Sequence, residues 1–203
     1  VNGYCLTGGF ETVMGADLRV ASEDAVFQMR EASLGIMPTG GSNIYLPRML
    51  TPCRGLEILL TANNFSAKTL LEWGFLNRVV PKAELMQAAM DLAERIAGNG
   101  PLAVQGIIRC YRESRDLSWA EAFQKELDIG LPIFASLDAR EGIMAQNEKR
   151  KPNFPGRDAD GNEIPDSQEA GPDPNASSDS DLDQPPALEA FWTNQMFLPL
   201  VNR

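Results

Sequence analysis

Two acids near the start of the chain have neighbours suited to chemistry. Glu11 follows the glycine pair Gly8-Gly9, which ends a strand-like run over residues 1–6, and Glu31 stands twenty residues further on. Glycines let backbone N–H groups approach a ligand closely, and the free amides at a helix start favour negative charge. Gly8 is therefore a candidate donor to an oxygen that gains charge during a reaction. Two carboxylates converging on one water can hold it and move its protons. Taken singly, each acid also has a plainer reading. Glu11 falls in a first helical turn, where an acid complements the helix dipole, and Glu31 follows Arg30, which fits a surface ion pair.

The elements that would position these acids alternate between short strands and helices. Strands are expected over residues 1–6, 18–21, 25–28 and 75–80, with a turn at Ser22-Glu23-Asp24. Helices are expected over 9–16, 42–50, 56–62 and 67–73, the last ended by Gly74. Residues 81–97 repeat apolar side chains at Leu85, Ala88, Ala89, Leu92 and Ile96, the pattern of a half-buried helix with Gly98 at its end. Three helices follow: Pro101 opens one through Arg112, Ser118 and Glu121 form a capping box for the next, and Asp138 starts the last, which runs to about Lys149. A reversal of the chain after the strand at 25–28 would bring Glu11 and Glu31 face to face.

Composition excludes several classes. The chain has no histidine and no Gly-x-Ser-x-Gly turn, which removes Ser-His or Cys-His nucleophilic catalysis and histidine-based zinc sites. Cys5, Cys53 and Cys110 are odd in number and lack metal-ligand spacing, which fits reduced thiols in a cytoplasmic protein and no metal site. No apolar run approaches the ~20 residues of a membrane span, so no membrane insertion is expected. The formal charge of −10 is carried mostly by the end of the chain: from Asp158 onward ten acids face one base, Arg203. The body is close to neutral and has no basic stripe, which disfavours nucleic acid as a partner. Residues 158–186 are rich in Asp, Pro, Ser and Gly, a composition expected to stay disordered, and an apolar run over 187–201 follows, read either as a docking segment or as an unordered extension.

Several motifs in register resemble the enoyl-CoA hydratase/isomerase (crotonase) superfamily. They are Val1-Asn2-Gly3-Tyr4-Cys5-Leu6-x-Gly8-Gly9-x-Glu11, then Asp17-Leu18-Arg19-Val20-Ala21, then Glu31-Ala32-x-Leu34-Gly35-Ile36-x-Pro38-x-Gly40-Gly41. Downstream, Trp73-Gly74-Phe75-Leu76-Asn77-Arg78-Val79-Val80-Pro81 and Lys149-Arg150-x-Pro152-x-Phe154 keep the family's order, so the resemblance runs from Val1 to about Gly156. It implies an α/β crotonase-like spiral of strand-strand-helix turns, of which the later turns are present, with a helical C-terminal region from about residue 101. Residues 1–156 would be a partial crotonase domain and 157–203 an acidic tail. The first third of the family domain, including the second oxyanion N–H, is expected upstream of Val1.

The resemblance also implies roles. Glu11 matches the family's water-holding glutamate, Glu31 the one that exchanges the α-proton, and Gly8 the glycine whose N–H binds the thioester oxygen. Gly9, Pro38 and Gly40 would shape the acyl pocket, with Lys149 and Phe154 near the CoA phosphate and adenine. Both acids together imply a lyase that hydrates a 2-enoyl-CoA to a 3-hydroxyacyl-CoA. An isomerase, another acyl-CoA dehydratase or an inactive oligomerisation subunit are the alternatives. No cofactor is implied beyond the CoA of the substrate, and a homotrimer or dimer of trimers is. Two positions depart from the family pattern: Thr7 stands where a glycine is common, and Met29-Arg30 replaces the Gly/Leu-Pro before the second acid, so that Arg30 narrows or recharges the pocket.

Overall fold

The computed structural model describes residues 1–159 and residue 161. The readings of a disordered acidic tail and of an apolar docking segment therefore lie outside the described residues.

Five short strands and eight helices make up the described part. Strand β1 (Tyr4–Leu6) leads into helix α1 (Gly8–Met14), followed by β2 (Val20–Ser22) and β3 (Val26–Gln28). After a 3-10 turn at Glu31–Leu34 come α2 (Ser42–Met49), α3 (Pro52–Thr61), β4 (Phe65–Ser66), α4 (Ala67–Glu72) and β5 (Arg78–Val80). Helices α5 (Leu85–Ala97), α6 (Pro101–Ser114), α7 (Trp119–Ala135) and α8 (Leu137–Glu148) complete the chain.

The strands form two small sheets. In one, β3 is central, with β1 parallel on one side and β4 antiparallel on the other. In the other, β2 pairs in parallel with β5. The ladder between β1 and β3 sets Leu6 opposite Gln28 and is prolonged by the Thr7 amide donating to the Gln28 carbonyl at 2.9 Å. The ends of β1 and β3, and whatever follows each, therefore emerge side by side.

The core lies between these sheets and the first helices. Phe10 of α1, Phe27 of β3 and Phe75 pack edge to face, with ring centroids 5.3 Å apart for Phe10–Phe27 and for Phe10–Phe75. Met14, Met29, Leu46, Ile58 and Leu70 are fully buried around them. Such aromatic pairs contribute about 0.5–1.5 kcal/mol each beyond the area they bury. Helices α2 and α3 touch backbone to backbone at Gly55, where a β-carbon would stand 2.8 Å from the Pro47 nitrogen.

Most predicted elements are present, with shifted edges. Pro52 opens α3 four residues before the apolar pattern begins, because a proline at the first helical position gives up only an amide that has no partner there. The helix read from Pro81 splits into a 3-10 turn at Lys82–Glu84 and α5. The capping box at Ser118 and Glu121 forms as read. The cap of α8 is Ser136 and not Asp138, whose carboxylate instead accepts the Gly156 amide at 2.7 Å. Among the described residues, no helix is long and apolar enough to cross a membrane.

Candidate active site

Helix α1 is short, and three features hold it. Phe10 and Met14 anchor one face in the core. Arg19 closes its C-terminal end, donating to the carbonyls of Val13, Met14 and Ala16, and its guanidinium lies 4.5 Å from the centre of the Phe75 ring. At the other end Thr7 adopts φ 49° and ψ −122° and its side chain makes no capping bond. The first amides of a helix have no intrahelical acceptor, and here those belong to Gly8 and Gly9. Both glycines are exposed.

Glu11 stands in the first turn of α1, but its carboxylate makes its hydrogen bonds to the start of α2. Its Oε1 accepts the Gly40 amide at 2.8 Å and the Ser42 hydroxyl at 2.9 Å, with the Ser42 amide further off at 3.4 Å. These donors sit at the start of α2, whose cap is Gly41, so Glu11 occupies the amide-rich end of the neighbouring helix. The fit is close: a β-carbon at Gly40 would stand 2.2 Å from Glu11 Oε2. All three of these donors fall on Oε1.

Glu31 is no surface ion pair either. It opens the 3-10 turn after β3, is 9% exposed, and its Oε2 is buried without a hydrogen-bond partner among the described residues. No ion pair joins it to Arg30, which is exposed. A buried carboxylate oxygen without a donor costs about 1–3 kcal/mol, and Asp138 Oδ2 at the helical end is a second such atom among the described residues. Gly35, at φ 70°, caps the turn, and the Ile36 amide closes it on the Glu31 carbonyl at 3.1 Å.

The two acids share one topological address. Glu11 follows β1 and Glu31 follows β3, and these strands are parallel neighbours ending in register. The segment 35–41 leaves the Glu31 turn and ends on the Glu11 carboxylate. Along it Ile36 and Met37 are exposed, as is Leu34 just before it, while Pro38 is buried with its carbonyl accepting Asn43 Nδ2 at 2.6 Å. These exposed apolar side chains lie on the stretch that joins the Glu31 turn to the Gly40 amide bonded to Glu11. Ser42 was not among the residues read from the sequence. Its only advance signal was the Gly40-Gly41 pair before a helix, which marks free amides but not the hydroxyl beside them.

Lys149 and Phe154 belong to the helical end. Lys149 is exposed and left-handed at φ 55°, ending α8. The Phe154 ring packs on Gly100 and Gly142, so it also fastens the chain after α8 to the helices. Between them Arg150 binds both oxygens of Glu141 at 2.6 and 2.8 Å, and these bonds, with the Asn153 amide, hold the Glu141 carboxyl down at about 2. No hydrogen bond joins this cluster to Glu11 or Glu31 among the described residues.

Residues 1–157 match the model of the enoyl-CoA hydratase/isomerase family. The chain belongs to that family. It is 41% identical over 157 residues to enoyl-CoA hydratase EchA19 of Mycobacterium tuberculosis, a match covering 77% of this chain and 59% of that protein. Carnitinyl-CoA dehydratase of Proteus mirabilis is 40% identical over 162 residues, covering 77% and 62%. Among solved structures, an enoyl-CoA hydratase from Mycobacterium tuberculosis H37Rv superposes with a TM-score of 0.73 at 38% identity, covering 76% of this chain and 61% of that one. One from Bacillus anthracis gives 0.74 at 33%, covering 75% and 59%. The α/β crotonase fold expected from the motifs is thus the fold of the described part. The chain spans about three-fifths of the length of the curated relatives it matches.

Proposed function

We propose that the protein carrying this chain adds water to a 2-enoyl-CoA to give a 3-hydroxyacyl-CoA. One observation carries the reading: a pinned carboxylate, Glu11, and a buried carboxylate with an unpartnered oxygen, Glu31, follow adjacent parallel strands beside free helix-start amides. In the scheme, the oxygen of a water held at Glu11 Oε2 bonds to C3 of the acyl group while one of its protons passes to that carboxylate. The thioester oxygen takes up the displaced electron pair and is stabilised by the Gly8 N–H. The Glu31 carboxyl then delivers a proton to C2. Solvent exchange returns the Glu11 proton and restores Glu31, so the net change is the addition of one water. The reaction is redox-neutral and calls on no metal or cofactor beyond the substrate's CoA.

The apolar rim of Leu34, Ile36 and Met37, with Gly9, Pro38 and Gly40, would receive the acyl chain, and Lys149 and Phe154 the CoA end. Association into trimers fits the row of exposed apolar side chains along α7, Trp119, Phe123, Leu131 and Phe134. A second reading, removal of water from a 3-hydroxyacyl-CoA-type substrate, is favoured by the similarity to carnitinyl-CoA dehydratase and uses the same residues in reverse. The test is hydration of a short 2-enoyl-CoA by the complete protein, followed as loss of the ultraviolet absorbance of the conjugated thioester. Wild type should turn over, and Glu11→Gln and Glu31→Gln should each lose at least about 100-fold. Turnover that survives both substitutions rules out the scheme.

A further inference from the structure

We infer that Ser42 is a positioning residue for Glu11, and that it selects Oε2 as the oxygen that meets the reacting water. The inference rests on the hydration scheme above and names what aims its first carboxylate. Ser42 is fully buried at the first turn of α2, and its hydroxyl donates to Glu11 Oε1 at 2.9 Å. The Gly40 amide donates to the same oxygen at 2.8 Å.

The last torsion of a glutamate is soft and roughly two-fold, so a single hydrogen bond leaves the carboxylate free to swivel about it. Donors to an sp2 oxygen prefer the plane of its carboxylate, near the two lone-pair directions. Two short bonds from separate points to one oxygen therefore fix the plane as well as the position. The third donor, the Ser42 amide at 3.4 Å, is too long to replace the hydroxyl. Because all three donors fall on Oε1, Oε2 keeps its lone pairs for the reacting water. Ser42 is fully buried and acts through the bond its hydroxyl makes to Glu11.

Three variants of the complete protein test this: Ser42→Ala and Ser42→Gly, which lack the hydroxyl, and Ser42→Thr, which keeps one. Loss of the hydroxyl should lower kcat for enoyl-CoA hydration by about 10- to 100-fold, with KM within twofold of wild type. Exchange of the α-proton of a saturated acyl-CoA with deuterated water, which the scheme assigns to Glu31, should persist at the wild-type rate. The threonine variant should recover most of the hydration rate. Wild-type kcat in Ser42→Ala and Ser42→Gly, or parallel loss of hydration and exchange, overturns the proposal. Should the threonine variant not fold, the alanine and glycine pair still decides.

A second readout does not depend on activity. Crystal structures of wild type and Ser42→Ala should show the Glu11 carboxylate in one orientation in the first and rotated or split in the second. An unchanged carboxylate in Ser42→Ala overturns the inference. If wild type hydrates no enoyl-CoA, the functional scheme fails, and this structural comparison still judges the role of Ser42.

Discussion

Gly40→Ala should slow turnover about 100-fold while leaving the fold intact. The new β-carbon would stand 2.2 Å from Glu11 Oε2 and 2.6 Å from its Cδ, whereas ordinary contact begins near 3.4 Å. The carboxylate must withdraw by about 1 Å, and a misplacement of that size at a reacting group costs about 100-fold in rate. The obstacle is the end of a flexible side chain, so the backbone need not move. Two weakened hydrogen bonds, from the Gly40 amide and the Ser42 hydroxyl, cost about 2 kcal/mol, and the lower unfolded-state entropy of alanine offsets about 0.4–1 kcal/mol. The net loss of stability should thus stay at about 1 kcal/mol.

Gly55→Ala is the matched control. There the β-carbon would meet backbone, 2.8 Å from the Pro47 nitrogen and 2.9 Å from the Leu46 carbonyl carbon. Neither can step aside without parting α2 from α3, and overpacking of this kind costs about 1–3 kcal/mol. Both variants are assayed by enoyl-CoA hydration and by urea unfolding. The expected result is a Gly40→Ala slowed about 100-fold and only slightly destabilised, and a Gly55→Ala that loses more stability. Wild-type turnover in Gly40→Ala, or a loss of stability matching that of Gly55→Ala, would refute the reasoning.

Three further outcomes follow from the same geometry. Thr7→Gly should raise the melting temperature by a few degrees, because a β-branched residue at φ 49° and ψ −122° carries about 1–3 kcal/mol of strain that glycine avoids; calorimetry finding no rise would contradict the strain. Arg19→Met should cost about 3 kcal/mol in urea unfolding, since it strips donors from the carbonyls of Val13, Met14, Ala16 and Phe75, and a loss under about 1 kcal/mol would make those bonds incidental. Glu141 is held at about 2 in the folded chain, down from 4.5, so between those values the unfolded chain binds more protons and acidification destabilises the fold. Its stabilisation should be fully present above about pH 5 and lost toward pH 2, so the stability gap between wild type and Glu141→Gln should shrink over that range; a gap constant with pH argues against the Arg150 clamp.

How much of this was legible in the sequence depended on distance along the chain. Gly8-Gly9 followed by an acid is a local signal, and α1 begins where that signal places it. The partners of Glu11 are not local: Gly40 and Ser42 lie 29 and 31 residues away, and nothing in the periodicity around either says that they meet. The glycine pair at 40–41 was legible as a turn before a helix. What the amides of that helix would bind was not, because an acceptor supplied by another element leaves no mark beside the donors. Arg19 was read as part of a strand over 18–21 and of a family motif but not as a helix cap, since its four carbonyl partners come from the end of α1 and the turn after it and from Phe75, brought together by the fold. Strand β4 was missed for a simpler reason: at two residues it has no alternation to detect, and it exists only by pairing with β3.

Thr7 joins these two levels. The family resemblance marked it as a departure from glycine, and the backbone gives the cause, because the residue joining β1 to α1 must take a positive φ to turn the first amides of the helix outward. A threonine tolerates this only where the surroundings hold it, and they do: its amide is tied to Gln28, its carbonyl accepts the Glu11 amide, and the helix beyond is anchored by Phe10 and Arg19. Strain at the junction, a closed seat for Glu11 Oε1 and an unpartnered oxygen on Glu31 all lie at the ends of β1 and β3. Departures from relaxed geometry persist when the structure around them over-determines the conformation, and they gather where a protein acts. That convergence is the reason the proposed scheme is set at the ends of β1 and β3.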